Sequence, residues 1–141
     1  MSYRKINILI VEDNLAHLKI TEYILREKNV EGNYFIVRDG QEAIDFLYNK
    51  GEYADTARFP NPDLVLLDLN LPQRDGREVL KIINDDSDLR STPVVIVSTS
   101  DRVEDMDYAF NHGAVAYISK SSGFETFSQE LGNVGKYVRS A

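Results

Sequence analysis

The chain of 141 residues contains no cysteine, and this absence excludes disulfide bonds and thiolate metal sites. It also has no apolar run near the roughly 20 residues that a membrane-spanning helix needs. The apolar run near the N-terminus is short and leads directly into acidic residues, which is not the pattern of a signal peptide. These absences predict a cytoplasmic protein with no membrane partner.

Positive charge is scarce and scattered. The chain has 16 lysines and arginines against 23 acidic residues, a net charge of −7, and its densest basic pair is Arg4 and Lys5. Proteins that bind nucleic acids directly present a clustered basic face, so we expect no nucleic-acid partner. The length and the 43% hydrophobic content indicate one folded globular domain.

Short apolar runs rich in β-branched residues alternate with amphipathic stretches. Residues 6–11, 64–67, 94–97 and 115–118 read as strands buried on both faces of a parallel sheet, and the weaker run 34–37 is expected at an edge. Helical spacing of apolar residues predicts five helices, and these residues are Ala16, Ile20, Tyr23 and Ile24; Ala43, Ile44, Leu47 and Tyr48; Val79, Leu80 and Ile83; Val103, Met106 and Phe110; Phe124, Phe127, Leu131, Val134 and Val138.

Four of the predicted helix starts carry a capping residue three positions before a glutamate, the pattern of a capping box. The pairs are Asp39 and Glu42, Asp75 and Glu78, Asp101 and Glu104, and Ser122 and Glu125. The result is a βα unit repeated five times, which predicts an α/β fold with a doubly wound parallel sheet and helices on both faces. In such sheets ligands bind beyond the carboxyl ends of the strands.

Polar residues stand at these strand ends. The first strand ends in Glu12 and Asp13, and the third in Asp68. The fourth ends in Ser98-Thr99-Ser100, and the fifth runs to Lys120. Taken singly, each has an ordinary structural explanation as a cap, a turn residue or a solvated side chain. Taken together, three nearby carboxylates repel one another unless a cation lies among them, and Mg²⁺ suits a site of carboxylates and water.

Four pieces of sequence, in order along the chain, resemble the receiver domain of two-component response regulators, shaped like the bacterial chemotaxis regulator. They are Glu12-Asp13, the DLNLP and DG motif of residues 68–76, Pro93 followed by VVIVS, and AYISK ending at Lys120. The resemblance covers essentially the whole chain. It implies a flavodoxin-like (βα)5 three-layer sandwich with a five-stranded parallel sheet in the order 2-1-3-4-5.

The resemblance also implies roles for the residues at the strand ends. Asp68 occupies the place of the phosphoacceptor, which attacks a phosphoryl group carried by a kinase histidine. Glu12, Asp13, Asp68 and the backbone carbonyl of Asn70 are expected to hold Mg²⁺.

The phosphoryl oxygens are expected to contact Ser98, Thr99 and Lys120. Ser98 and Tyr117 are the expected switch residues, which would reshape the face formed by the fourth helix, fifth strand and fifth helix. The ordinary alternative for Tyr117 is a half-buried strand tyrosine without a switching role.

The resemblance predicts a phosphoacceptor signalling protein rather than an enzyme in the usual sense, with only self-catalysed phosphotransfer and dephosphorylation. A sensor histidine kinase is the expected upstream partner. The sequence after the predicted fifth helix is too short to hold a DNA-binding module. Residues 1–141 are therefore predicted to be one receiver domain without an output domain. Output is then expected through a downstream protein target, a second phosphotransfer protein or a homodimer.

Two alternatives remain open on the sequence. The first is a receiver-like interaction module that works without phosphorylation. The second is a phosphatase with an aspartate nucleophile, which expects a second aspartate where this chain has Asn70.

Three features depart from the receiver pattern or extend it. Ser121 follows Lys120 where the family usually has proline, which leaves that peptide bond either cis or trans. The long segment 48–63 is either a surface insertion or a mark of the stand-alone regulators paired with bacterial phytochromes and related sensor kinases. Neither His17 nor His112 is expected to be catalytic.

Overall fold

The computed structural model describes residues 5–138 and contains one sheet of five parallel strands. The ends of the predicted domain, residues 1–4 and 139–141, lie outside the described residues. The strands are β1 (Ile6–Val11), β2 (Gly32–Val37), β3 (Leu64–Leu67), β4 (Val94–Ser98) and β5 (Ala116–Ser119), and their order in the sheet is β2-β1-β3-β4-β5. The predicted flavodoxin-like fold, its strand order and the edge position of the second strand are confirmed.

Helices cover both faces of the sheet, because alternate strand residues point to opposite sides and both sides are apolar. The helices are α1 (Leu15–Glu27), α2 (Gly40–Leu47), α3 (Gly76–Asp85), α4 (Val103–Asn111) and α5 (Phe124–Gly132). Leu9 and Val11 of β1 belong to a core shared with α2, α3 and α4, whereas Ile8 and Ile10 belong to a core shared with α1 and α5. The molecule is therefore a three-layer sandwich with two separate cores.

Two of the four predicted capping pairs mark helix starts. Asp39 accepts a hydrogen bond from the backbone N–H of Glu42 at 2.7 Å, and Asp75 accepts one from that of Arg77 at 2.8 Å. The predictions for Asp101 and Ser122 are wrong, because α4 and α5 begin after Arg102 and Gly123 without a side-chain cap. At α5 the glycine adopts φ +94°, a conformation that residues with a Cβ rarely take.

The apolar faces of two helices differ from those predicted. On α4 the buried residues are Asp105 and Ala109, while Val103 and Phe110 are 65% and 51% exposed. On α1 the predicted position Ile24 is buried, whereas the predicted Ile20 and Tyr23 are exposed. The other buried residues of α1 are Leu18, Thr21 and Leu25. Both helices carry a second apolar stripe that points away from the sheet.

The fifth helix is shorter than its apolar stripe predicts. The α-helix ends at Gly132, and a 3₁₀ turn over Val134–Tyr137 continues the stripe. Phe127, Leu131 and Val134 are buried against the sheet, whereas Phe124 is 64% exposed. Phe124, the first residue of the predicted apolar stripe, therefore does not cover the sheet.

The long segment after α2 is held to the domain by aromatic packing. Tyr53 lies in a short 3₁₀ turn (Gly51–Tyr53), and its ring centroid is 5.2 Å from that of Phe46 and 5.1 Å from that of Phe59. The side-chain amide of Asn49 donates to the backbone carbonyls of Tyr53 and Phe59 at 3.0 and 2.9 Å. The segment therefore forms an ordered surface layer over α2.

Strand order reverses between β1 and β3, which are neighbours at the centre of the sheet although β2 lies between them in sequence. The carboxyl ends of β1, β3, β4 and β5 all point to one edge because the strands are parallel. Ligands of doubly wound sheets bind in the crevice at such a reversal. The fold therefore brings the predicted strand-end residues to the expected location.

Candidate functional site

Three carboxylates meet beyond the ends of β1 and β3. One oxygen each from Glu12, Asp13 and Asp68 lies within 4.8 Å of the others. Glu12 and Asp68 are only 4% and 6% exposed, and Asp13 is the most accessible of the three. Asp68 Oδ1 accepts a hydrogen bond from the backbone N–H of the exposed residue Asn70 at 3.0 Å. The buried acid that ends β3 thus belongs to a cluster supplied by two neighbouring strands.

The ammonium of Lys120 lies against this cluster, although it follows β5 at the far edge of the sheet. Its Nζ donates to Glu12 Oε1 and, at 3.0 Å, to Asp68 Oδ2. The Lys120 side chain is 8% exposed. Its backbone N–H donates to the carbonyl of Ser98 at 2.7 Å, which continues the pairing of β4 with β5 past the end of the strand.

Burial has the largest effect on the pKa of Glu12. Burial raises the pKa of Glu12 above its usual range and the charge of Asp68 raises it further, while the Lys120 ammonium opposes both. With all groups ionised, three carboxylates and one ammonium leave a formal charge of −2. Glu12 and Asp68 carry part of this excess in buried positions, where it is costly unless a cation offsets it.

The chemistry of these ligands fits a small hard divalent cation. All three side chains offer carboxylate oxygens, and water can reach Asp13. The formal charge of −2 would be balanced by one Mg²⁺ ion. Mg²⁺ is usually held in proteins by one or two carboxylates and several waters rather than by a complete protein cage. Glu12, Asp13 and Asp68 are therefore the residues that could hold such an ion.

A chain of hydrogen bonds links the end of β4 to β5. Ser98 is fully buried, and its Oγ accepts a bond from the backbone N–H of Ser100 at 3.1 Å. The phenol of Tyr117 in β5 donates to the backbone carbonyl of Ser100 at 2.8 Å. The two predicted switch residues, Ser98 and Tyr117, are therefore connected through one loop residue.

The same loop is fastened to α3 and α4 by a buried carboxylate. Asp105 accepts a hydrogen bond from the hydroxyl of Ser100, and its other oxygen accepts from the Arg77 guanidinium at 2.8 Å. Asp105 is 7% exposed, so this ion pair is much less screened than one on the surface. The carboxylate holds the loop after β4 in one position relative to the first turn of α3.

Replacing Asp105 by asparagine is expected to destabilise the protein more at neutral than at acid pH. The hydrogen bond from Ser100, and then the Arg77 guanidinium, hold the pKa of Asp105 below its ordinary value. A lowered pKa stabilises the folded state above the unfolded pKa of about 3.9, and this stability is lost as pH falls through the folded value. We expect the free energy of unfolding to drop by about 1–3 kcal/mol at pH 7, measured by urea denaturation from pH 7 to pH 2.

The control is Asp107→Asn, which removes an exposed acid from the same helix and is expected to leave the free energy of unfolding nearly unchanged. A loss in Asp105→Asn that stayed constant down to pH 2 would show that the charge of Asp105 is not what stabilises the fold.

The loop after Lys120 has no proline and contains no cis peptide bond, so the Lys120–Ser121 peptide is trans. The hydroxyl of Ser121 donates to the carbonyl of Thr99 at 2.7 Å. This bond ties the loop to the end of β4, and Lys120 still reaches the acids. Thr99 itself is exposed, and its side chain is not part of the buried cluster.

Sequence reasoning missed several residues of this site. His17 Nδ1 lies 3.1 Å from Lys120 Nζ, and Ser100, Asp105 and Arg77 fasten the loop between the predicted switch residues. Arg77 lies in the DGRE stretch and Asp105 in the SDRVED stretch, and their pairing was not visible because the two residues are 28 positions apart in sequence.

Comparison with known proteins gives one consistent result. The family model for the response regulator receiver domain matches residues 8–131. The response regulator Rcp1 of Synechocystis sp. is 40% identical over 114 residues, which are 81% of this chain and 76% of Rcp1.

Two solved structures are similar over almost their whole length. The phosphorylated cyanobacterial phytochrome response regulator RcpA is 37% identical with a TM-score of 0.85, and the match covers 96% of this chain and 94% of RcpA. The Mn²⁺-bound form of Rcp1 is 33% identical with a TM-score of 0.83, covering 96% of both chains. Along the described residues, we find no helix with the length and apolar character needed to cross a membrane.

Proposed function

This chain belongs to the response regulator receiver family, and on that premise we propose that it accepts a phosphoryl group on Asp68 in a Mg²⁺-dependent reaction. The observation that carries the proposal is the cluster of Glu12, Asp13 and Asp68 with the Lys120 ammonium against it. Its relatives RcpA and Rcp1 have been solved in a phosphorylated and a Mn²⁺-bound form, respectively.

In the proposed reaction an oxygen of the Asp68 carboxylate attacks the phosphorus of a phosphohistidine on a sensor kinase. A P–O bond forms, the P–N bond breaks, and its electron pair returns to the imidazole. When bound, Mg²⁺ would supply positive charge that offsets the charge of the phosphoryl group, and phosphoryl transfer depends mainly on such neutralisation and on positioning.

The other proposed roles, metal binding and phosphoryl binding, fall to different residues of the site. Glu12, Asp13, Asp68 and the carbonyl of Asn70 are proposed to hold the ion, while Lys120, Ser98 and the loop residue Thr99 are proposed to bind phosphoryl oxygens. The rigid end of β3 holds the Asp68 carboxylate in place for attack. Contacts of Lys120 with both Glu12 and Asp68 support a shared site for metal and phosphoryl group.

We further propose that phosphorylation is transmitted through Ser98 to Tyr117. A phosphoryl group adds roughly −1.5 to −2 charges and new acceptor oxygens, which attract the Ser98 hydroxyl. Ser98 Oγ would then release the N–H of Ser100, whose carbonyl is the partner of the Tyr117 phenol. The face formed by α4, β5 and α5 would change shape and alter contacts with protein partners.

The proposed upstream partner is a sensor histidine kinase of the phytochrome type, since RcpA is a phytochrome response regulator of 37% identity. The proposed output is protein contact by a single cytoplasmic receiver domain, either with a downstream target or phosphotransfer protein or in a homodimer. Exposed apolar side chains on α4 and before β5, Val103, Phe110 and Val115, support such contacts.

The test is the mass of the intact protein after incubation with acetyl phosphate, with Mg²⁺ or with EDTA. We expect one phosphoryl adduct that forms only with Mg²⁺ and maps to the peptide containing Asp68. The absence of any adduct, in protein that still binds Mg²⁺, would contradict the proposal and favour an interaction module that works without phosphorylation.

A further inference from the structure

The Lys120 ammonium has three acceptors in the described part of the chain, and one of them is not a carboxylate. Glu12 Oε1 and Asp68 Oδ2 are two of them, and the third is His17 Nδ1, 3.1 Å away. A lysine ammonium has three N–H donors and no acceptor, so each partner takes one hydrogen. The ammonium is thus fully satisfied at a side chain that is 8% exposed.

We propose that His17 is a positioning residue for phosphorylation, because its Nδ1 holds the Lys120 ammonium where it binds an oxygen of the phosphoryl group. This inference rests on the proposed function, which gives Lys120 a phosphoryl group to bind. His17 acts through Lys120 and does not itself contact Asp68.

A neutral third acceptor has a consequence that a third carboxylate would not have. Glu12 and Asp68 attract the ammonium through charge, and both are also the proposed metal-holding residues. When Asp68 carries a phosphoryl group, Lys120 must exchange its contact with Oδ2 for a phosphoryl oxygen. His17 Nδ1 anchors the ammonium through this exchange without adding negative charge that would compete with the phosphoryl group.

The start of α1 fixes the backbone at His17. His17 lies in the first turn of α1, where its backbone N–H donates to the Asn14 side chain that caps the helix, at 3.0 Å. The ring also lines a cavity of about 250 Å³ whose other walls are Ile20, Thr21, Lys120, Phe124 and Phe127. This open space means that side chains of other shapes fit at position 17 without overpacking.

The geometry also fixes the hydrogen on the imidazole. Because Lys120 Nζ can only donate, His17 Nδ1 must accept, and the neutral ring carries its hydrogen on Nε2. Nitrogen-15 NMR of the protein without phosphodonor at pH 8 is expected to show this tautomer at His17. A hydrogen on Nδ1 would overturn the proposal.

The kinetic test compares His17→Leu with His17→Asn. Leucine is of similar size and offers no acceptor, whereas asparagine places its carbonyl oxygen near the position of Nδ1. With acetyl phosphate and saturating Mg²⁺, we expect phosphorylation of His17→Leu to be slower by about tenfold, as is usual when a supporting hydrogen bond in such a site is lost. We expect His17→Asn to recover most of the wild-type rate.

The control is His112→Leu, which replaces the other histidine of the chain, stacked on Tyr108 at the end of α4 and away from the site. It is expected to react at the wild-type rate. Mg²⁺ affinity and thermal unfolding are measured for each variant, so that a metal or folding defect is separated from a positioning defect.

The outcomes separate this inference from the proposed function. Equal rates for wild type and His17→Leu, or equal slowing of His17→Leu and His17→Asn, would overturn the positioning role and leave Asp68 as phosphoacceptor. A wild-type protein that forms no adduct would overturn the proposed function and the positioning role with it.

Discussion

Replacing Asp68 by asparagine is expected to abolish the Mg²⁺-dependent phosphoryl adduct entirely. An amide oxygen carries no full negative charge and is a far weaker nucleophile than a carboxylate, so no acyl phosphate forms. The substitution also removes one of the three carboxylates that are proposed to hold the metal. The measurement is intact-protein mass after incubation with acetyl phosphate and Mg²⁺, followed by peptide mapping.

The Asp68→Asn protein is expected to remain folded, which makes the loss of the adduct interpretable. Its side-chain oxygen can still accept the hydrogen bond from the N–H of Asn70, and the repulsion from Glu12 is removed. Its NH₂ group cannot accept from Lys120, so the two effects oppose each other and we expect stability to change by no more than about 2 kcal/mol.

Asp63→Asn is the matched control for Asp68→Asn. Asp63 is also a buried acid, but it precedes β3, at the end of the sheet away from the site. Its carboxylate accepts a hydrogen bond from the backbone N–H of Asn7 at 2.8 Å. This variant is expected to form the adduct as the wild type does. An adduct in Asp68→Asn at the wild-type rate would place the phosphoacceptor elsewhere in the chain.

Replacing Gly76 by alanine is expected to cost about 3 kcal/mol or more of folding free energy, a large share of the 5–15 kcal/mol that stabilises a typical domain. A Cβ at this position would lie 2.1 Å from the carbonyl oxygen of Asp68 and 2.6 Å from the Cα of Leu69. Both are backbone atoms just beyond a fully buried strand, and the Gly76 N–H also donates to the Leu69 carbonyl at 2.8 Å. The clash therefore cannot be relieved by rotating a side chain.

The measurement is urea denaturation of Gly76→Ala beside Gly135→Ala. Gly135 lies in the 3₁₀ turn that follows α5, and a Cβ there would have no neighbour within 4 Å. The control is expected to change stability by less than about 1 kcal/mol. Equal denaturation midpoints for the two variants would mean that the start of α3 can move away from β3 without loss.

The strand-end residues of this protein are predictable because they combine two local signals. A short β-branched run indicates a strand buried on both faces, and a charged residue directly after it must lie at the rim of the sheet. Glu12, Asp13, Asp68 and Lys120 meet this description, and the structure brings them together. Their meeting in space is predictable as well, because parallel pairing places the carboxyl ends of all the strands at the same end of the sheet.

Helix faces and caps are less predictable because the same stretch of sequence is compatible with more than one buried face and more than one helix start. On α4 the spacing of Val103, Met106 and Phe110 is as helical as that of the buried positions, yet Asp105 faces inward. The Arg77 guanidinium and the Ser100 hydroxyl satisfy that carboxylate, and neither partner is visible from α4 alone. The cap predicted at Asp101 fails for the same reason, because the loop is held by Ser100 and Asp105.

His17 shows the limit of reasoning from local sequence most directly. The nearby Glu12-Asp13 motif gives no role to His17 itself, because its partner Lys120 lies 103 residues later. Only the fold, in which α1 packs beside α5 on one face of the sheet, brings the imidazole to the ammonium. Pairs of residues this far apart in sequence can be recognised only after the fold is known.

The contact between Lys120 and Glu12 spans 108 residues of sequence, which ties the site to the order in which the chain is synthesised. A nascent chain that has emerged only through β4 carries all three carboxylates but lacks the ammonium that lies against them. Because a domain of this size folds as a unit, such an incomplete chain is not expected to bring the three acids together. The charge-balanced site is therefore expected to assemble only after β5 has been synthesised and has joined the sheet.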